Sequence, residues 1–154
     1  MEINYLQMLR DNPTKWGTDN MTIQPLSESA ISSLEYIYNG GQPFPIALKE
    51  LLFLAGNYCY VLDYGIEETR EELQEYIRES LEENNKQMLH PFFAIDAYNG
   101  NDQFLFVYLN QGEDPAVYEA LFYKDTNWFY MISPKLSTYI SSLIERTKQG
   151  RNPF

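Results

Sequence analysis

The single cysteine of the chain, Cys59, and its single histidine, His90 in Leu89-His90-Pro91-Phe92, are the two residues whose types suit nucleophilic catalysis. A thiol attacks as its thiolate, so the two would have to meet in space for the imidazole to lower the thiol pKa. The neighbours of Cys59 (Tyr58, Tyr60, Val61 and Leu62) point instead to a core strand in which a cysteine fills space. One cysteine excludes an internal disulfide and any multi-cysteine zinc or iron-sulfur site, and one histidine removes histidine pairs and most triad arrangements. The oxygen-rich run Asp96-Ala97-Tyr98-Asn99-Gly100-Asn101-Asp102 lacks the alternating ligands and terminal glutamate of a calcium loop, and its Asn-Gly step reads as a hairpin turn. Gly40-Gly41 is not followed by Gly-Lys-Ser/Thr, and nothing matches a dinucleotide fingerprint. The expectation is a chain with no catalytic residue, no cofactor and no metal.

Glutamate is the residue whose spacing does carry a signal. From Ile66 to about Lys86 the chain is periodic, with Ile66, Leu73, Ile77 and Leu81 on one helical face. On the opposite face Glu68, Glu71, Glu72, Glu75, Glu79, Glu82 and Glu83 fall within roughly a third of the circumference, with only Arg70 and Arg78 nearby to offset them. A glycosidase pair would face across a cleft in two different environments, whereas these carboxylates share one face. Two readings remain: a solvated face, or a strip whose concentrated negative field attracts a basic protein. On the second reading Glu68, Glu72, Glu75 and Glu79 are the candidate partner-binding residues, with Tyr98 and Trp128 as aromatic anchors.

The whole chain agrees with that polarity. It has 154 residues with 11 Lys+Arg against 22 Asp+Glu, a formal net charge of -11 that argues against direct binding of nucleic acid or an anionic membrane. Hydrophobic residues make up 44%, enough for a packed core, and 13 Tyr, 9 Phe and 2 Trp supply large apolar area with polar tips on the tyrosines. The first ten residues lack a basic segment followed by an apolar one, and no stretch approaches the roughly 20 apolar residues of a membrane span, so a cytoplasmic location is expected.

Positioning such a strip requires a fold. Residues 1–26 read as an N-terminal arm, 27–150 as one domain and 151–154 as a tail. Ser27 caps a helix to Tyr38; Pro45 opens another to Ala55, closed by Gly56 in a left-handed conformation. Tyr58 to Leu62 reads as a first strand, followed by the glutamate helix. Four strand-like runs, 92–98, 103–109, 116–123 and 127–132, are joined by short turns and so pair antiparallel. Ser133 as cap and Pro134 at the first position open a last helix that ends at Gly150. The expected class is α+β: a mostly antiparallel sheet of about five strands with helices packed on one face.

Ile31-Ser32-Ser33-Leu34-Glu35, Phe44-Pro45-Ile46-Ala47-Leu48-Lys49-Glu50-Leu51-Leu52 and Ala55-Gly56-Asn57 resemble the opening of the SUKH superfamily, the Smi and Knr type regulators of fungi and their bacterial relatives. Phe92-Phe93-Ala94-Ile95, Gly100 to Phe104, Pro115 to Tyr118 and the helix from Leu136 to Ile144 are similar to that family's meander and closing helix, in the same order. The match spans about residues 28–146. Phe44 stands for the family's Leu, Leu48 and Leu51 for its aromatics, and Gly56-Asn57 for its Asn-Gly-Gly; the acidic helix resembles an insertion. The resemblance implies a non-enzymatic binding module. Bacterial members are mostly immunity proteins that bind and neutralise a cognate secreted polymorphic or contact-dependent toxin, often a nuclease and therefore basic. Fungal members imply the alternative, an intracellular regulatory or scaffold module of the same fold. A small enzyme using Cys59 or the glutamates is a third class.

Overall fold

The computed structural model describes residues 1–15, 22–98, 100 and 102–154. Strands β1 (Phe92–Tyr98), β2 (Gln103–Tyr108), β3 (Val117–Leu121) and β4 (Phe129–Ser133) form one antiparallel sheet in the order β1-β2-β3-β4. Around it lie α1 (Gln7–Asp11), α2 (Glu28–Tyr38), α3 (Ile46–Ala55), α4 (Arg70–Glu83) and α5 (Leu136–Lys148), so the α+β class is as expected. Successive strand side chains alternate in direction, and β1 and β2 are apolar at nearly every position, so both faces of the sheet need cover. Phe93, Ile95, Leu105 and Val107 pack with Leu34, Leu48, Leu51, Ile140 and Leu143 of α2, α3 and α5. Phe92, Ala94, Phe104, Phe106 and Tyr108 pack on the other face with Leu73, Ile77 and Leu81 of α4. Helices therefore cover both faces rather than one, and among the described residues the sheet has four strands.

Polar side chains fix where the helices start. Ser27 Oγ accepts the Ala30 N–H at 3.1 Å and opens α2. The β2–β3 loop caps two helices at once. The Glu113 carboxylate accepts the Ile46 N–H of α3 at 3.0 Å, and the Asp114 carboxylate accepts the Ser137 N–H of α5 at 2.9 Å. Ser133 is thus not the cap of α5, which begins three residues later; its hydroxyl donates to the Lys135 carbonyl. Gly150, at φ 74°, lets the Arg151 N–H reach back to the Arg146 carbonyl and closes α5.

Four further expectations change. Gly56 has φ −66°, a right-handed conformation, so its need for glycine is not backbone handedness. A Cβ there would lie 2.5 Å from Leu26 Cγ and 2.6 Å from the Leu52 carbonyl oxygen, so close approach of the chain excludes a side chain. Tyr58 to Leu62 is no strand: Tyr58 makes one isolated bridge with Gln24, and the Leu62 N–H turns back to the Cys59 carbonyl. Its β-favouring residues serve burial instead, with Cys59 and Val61 in the core. The glutamate helix runs from Arg70, not Ile66, because Thr69 Oγ1 accepts the Glu72 N–H at 3.1 Å and begins it; Ile66 is 87% exposed. The N-terminal arm is built into the domain, since Ile3, Leu6 and Leu9 join the main core and the buried Glu50 carboxylate accepts the N–H groups of Asn4, Tyr5 and Leu6. Residues 16–20 of the turn-rich run, and Asn99 and Asn101 of the expected hairpin turn, lie outside the described residues.

Candidate functional site

α4 lies on the sheet through Leu73, Ile77 and Leu81 and turns its glutamates outward. Glu68, Glu71, Glu72, Glu75, Glu79, Glu82 and Glu83 are all exposed, and among the described residues none forms a salt bridge. The two arginines of the helix form no salt bridge with them and turn toward the core, from where Arg70 still acts on Glu72 and Arg78 on Glu75 through space. Arg70 is 4% exposed, with its guanidinium carbon 3.4 Å above the Tyr64 ring, and its Nη2 donates to the Glu67 carbonyl at 3.3 Å. Arg78 lies 4.4 Å over Tyr38 and 4.2 Å over Phe92, and donates to the carbonyls of Gln74 and Phe92. Burial lowers the pKa of both guanidiniums from the ordinary value, with both still cationic at neutral pH. Their cation–π contacts thus hold the two charges against the core, where they offset the surface glutamates only in part.

The outward face holds a shallow, open depression between its side chains. Glu67, Thr69, Glu71, Glu72, Glu75, Tyr76 and Glu79 line a groove of about 530 Å³. Three of the four proposed glutamates, Glu72, Glu75 and Glu79, are in its wall; Glu68 stands at its N-terminal end, where its N–H donates to Glu72 Oε2 at 3.2 Å. Glu75 also accepts the Tyr38 hydroxyl at 2.6 Å, which ties the groove to α2. Burial and this neighbouring carboxylate push the Tyr38 hydroxyl above its usual pKa, so it stays a donor.

The two proposed aromatics are placed differently. Trp128 is half-buried on the α4 side of the sheet, with Lys86 Nζ 5.6 Å from its ring centre. Tyr98 packs on the opposite face, toward α5, and lines a second cavity of about 690 Å³ with Tyr139, Glu119 and Arg146. The structure therefore does not bring Tyr98 to the glutamates. Tyr76, which the sequence reading omits, stands in the acidic groove and is 37% exposed. Its spacing was the available signal: position 76 is four after Glu72 and three before Glu79, on the same face.

No family model, curated protein or solved structure matches the chain. The residues themselves carry the functional reading. Cys59 is buried in the helix-rich core, and burial pushes its thiol up to about 12. His90 is exposed beside Tyr108, on the other side of the sheet, with Nδ1 3.3 Å from Asn110. The nucleophile and base that catalysis would need are thus apart. Among the described residues no group of three His, Cys, Asp or Glu side chains is placed to hold a metal ion, and no helix is long and apolar enough to cross a membrane.

Proposed function

We propose that the chain is a non-enzymatic binding protein that neutralises a basic toxin domain, such as a nuclease, by direct contact: an immunity protein acting in the cytoplasm. The observation that carries this reading is the run of exposed glutamates on α4, none of them in a salt bridge among the described residues, whose two arginines are turned toward the core and offset them only in part. A field of one sign attracts an oppositely charged partner from beyond contact distance and raises association rates by about 10- to 1000-fold. The SUKH resemblance supplies the partner class. A toxin that acts on nucleic acid presents a positive site, and an acidic groove is complementary to it. Tyr76 supplies the short-range part, because aromatic side chains at the centre of an interface hold a complex together while surrounding charges mainly set its rate of formation.

The test is co-expression with the toxin encoded beside it. Reversing Glu68, Glu72, Glu75 and Glu79 to lysine changes the charge by two at each site, from -11 to about -3. We expect loss of protection and an association rate reduced by about tenfold or more at low salt, with a weaker salt dependence. Tyr76→Ala should leave association nearly unchanged and speed dissociation. Equal rates and equal salt slopes for a folded reversed variant would take the groove out of the site. Binding to no neighbouring toxin would favour the regulatory module.

A further inference from the structure

β4 is the open edge of the sheet. At the opposite edge the segment before α4 covers β1, where the Ala97 N–H donates to the Asp63 carbonyl at 2.9 Å and Tyr64 bridges Ala97. Along β4, Tyr130, Met131 and Ile132 are consecutive and 44%, 53% and 37% exposed, and the strand contains no charged residue and no proline. Edge strands are normally protected by such residues, because their unpaired backbone groups template further pairing. The Leu121 N–H donates to the Trp128 carbonyl, so by antiparallel alternation the N–H and C=O of Phe129 and Met131 point away from β3. Ile132 is the extra residue of a bulge against β3, which confines regular pairing to the middle of the strand.

We propose that this edge pairs with the same edge of a second copy, β4 antiparallel to β4 across a twofold axis at Met131. Two features select a second copy as the occupant. The first is sequence self-complementarity: an axis at Met131 sets Tyr130 against the partner's Ile132, an aromatic and β-branched cross-strand pair. The second is charge. The chain carries -11, α4 makes its closest strand contacts with β1, and β4 is the opposite edge of the sheet. The ends of β4 carry both signs, Lys124 and Asp125 before it and Lys135 after it. Two strongly acidic bodies can meet here without opposing their acid faces, whereas a basic partner would be drawn to α4. One bulged strand pair with flanking Tyr123 is a small contact beside a standard interface of roughly 1,200 Å², so the association is weak.

Sedimentation over a wide concentration range tests this in the absence of any toxin, and so independently of the function proposed above. The wild type should move from monomer to dimer as concentration rises, and Met131→Lys, which sets two like charges against each other at the axis, should remain monomeric, with the wild-type melting curve at dilutions where both are monomers. Met131→Cys adds a second readout. At a hydrogen-bonded antiparallel pair the Cα atoms lie about 5.5 Å apart, within disulfide range, so mild oxidation should link two copies through residue 131. Cys59 is buried and should not react. The exposed control Tyr36→Cys on α2 should not cross-link above the collisional background. A wild type that is monomeric at every concentration, or equal cross-linking at residues 36 and 131, would overturn the proposal.

Discussion

Asp96 is 1% exposed, and burial holds its carboxyl well above the usual carboxylate range despite the nearby Tyr98 hydroxyl and the Ala97 N–H. Its Oδ2 has no hydrogen-bond partner among the described residues. It reaches this position because β1 carries an extra residue between Ala94 and Asp96 in its pairing with β2. In the unfolded chain the carboxyl titrates near pH 4. Below that pH both states hold the proton and the site contributes nothing to pH dependence. As pH rises toward the native pKa the unfolded chain releases its proton first, so the fold loses stability. Asp96→Asn removes the titration and keeps an oxygen for Ala97. We expect its melting temperature to match or fall below the wild type near pH 4 and to gain on it steadily toward pH 7; parallel melting profiles would contradict this. Residue type made Cys59 legible as core, since a lone cysteine among aromatics is commonly buried. Asp96 and Gly56 were not legible, because one depends on a bulge and the other on Leu26 passing overhead, and neither leaves a local mark.

Helices α2 and α3 appear where apolar spacing, Ser27 and Pro45 place them, because those signals are local. α5 was legible in its stripe and its end but not in its start. The cap comes from Asp114, 23 residues earlier in the chain, with Ser137 donating both its N–H and its hydroxyl. The expected strand at Tyr58 to Leu62 failed for a related reason: strand formation needs a neighbouring ladder, and composition reports only a preference for burial. Asp114→Ala should therefore destabilise the fold by about 1–2 kcal/mol, the cost of a lost N-cap, measured by urea denaturation. Asp114→Asn keeps an acceptor and should cost less. Equal losses for the two variants would assign the effect to the carboxylate charge at the helix N-terminus rather than to the hydrogen bonds.

Across the whole molecule, charge and packing are divided between the two faces of the sheet. α2, α3 and α5 share the larger core, while α4 is the helix that covers the other face, and it carries a dense run of exposed acid. The acidity of that helix was legible from glutamate spacing; the absence of salt bridges to Arg70 and Arg78 was not, because the sequence places both beside the glutamates and only the fold turns them inward. Glu71, Glu75, Glu79 and Glu83 stand four apart along one ridge, and each adjacent like pair costs about 0.2–0.5 kcal/mol. Glu79→Lys removes two of these repulsions and creates two attractions. It should stabilise the protein by about 1 kcal/mol at low ionic strength, and the gain should shrink as salt screens exposed charges. A repulsion that a single substitution relieves is the kind of stability cost that binding surfaces retain. The same variant should therefore associate more slowly with the basic partner while melting at a higher temperature. If it melts higher and binds at the wild-type rate, the ridge is a solvated face and the contact lies elsewhere.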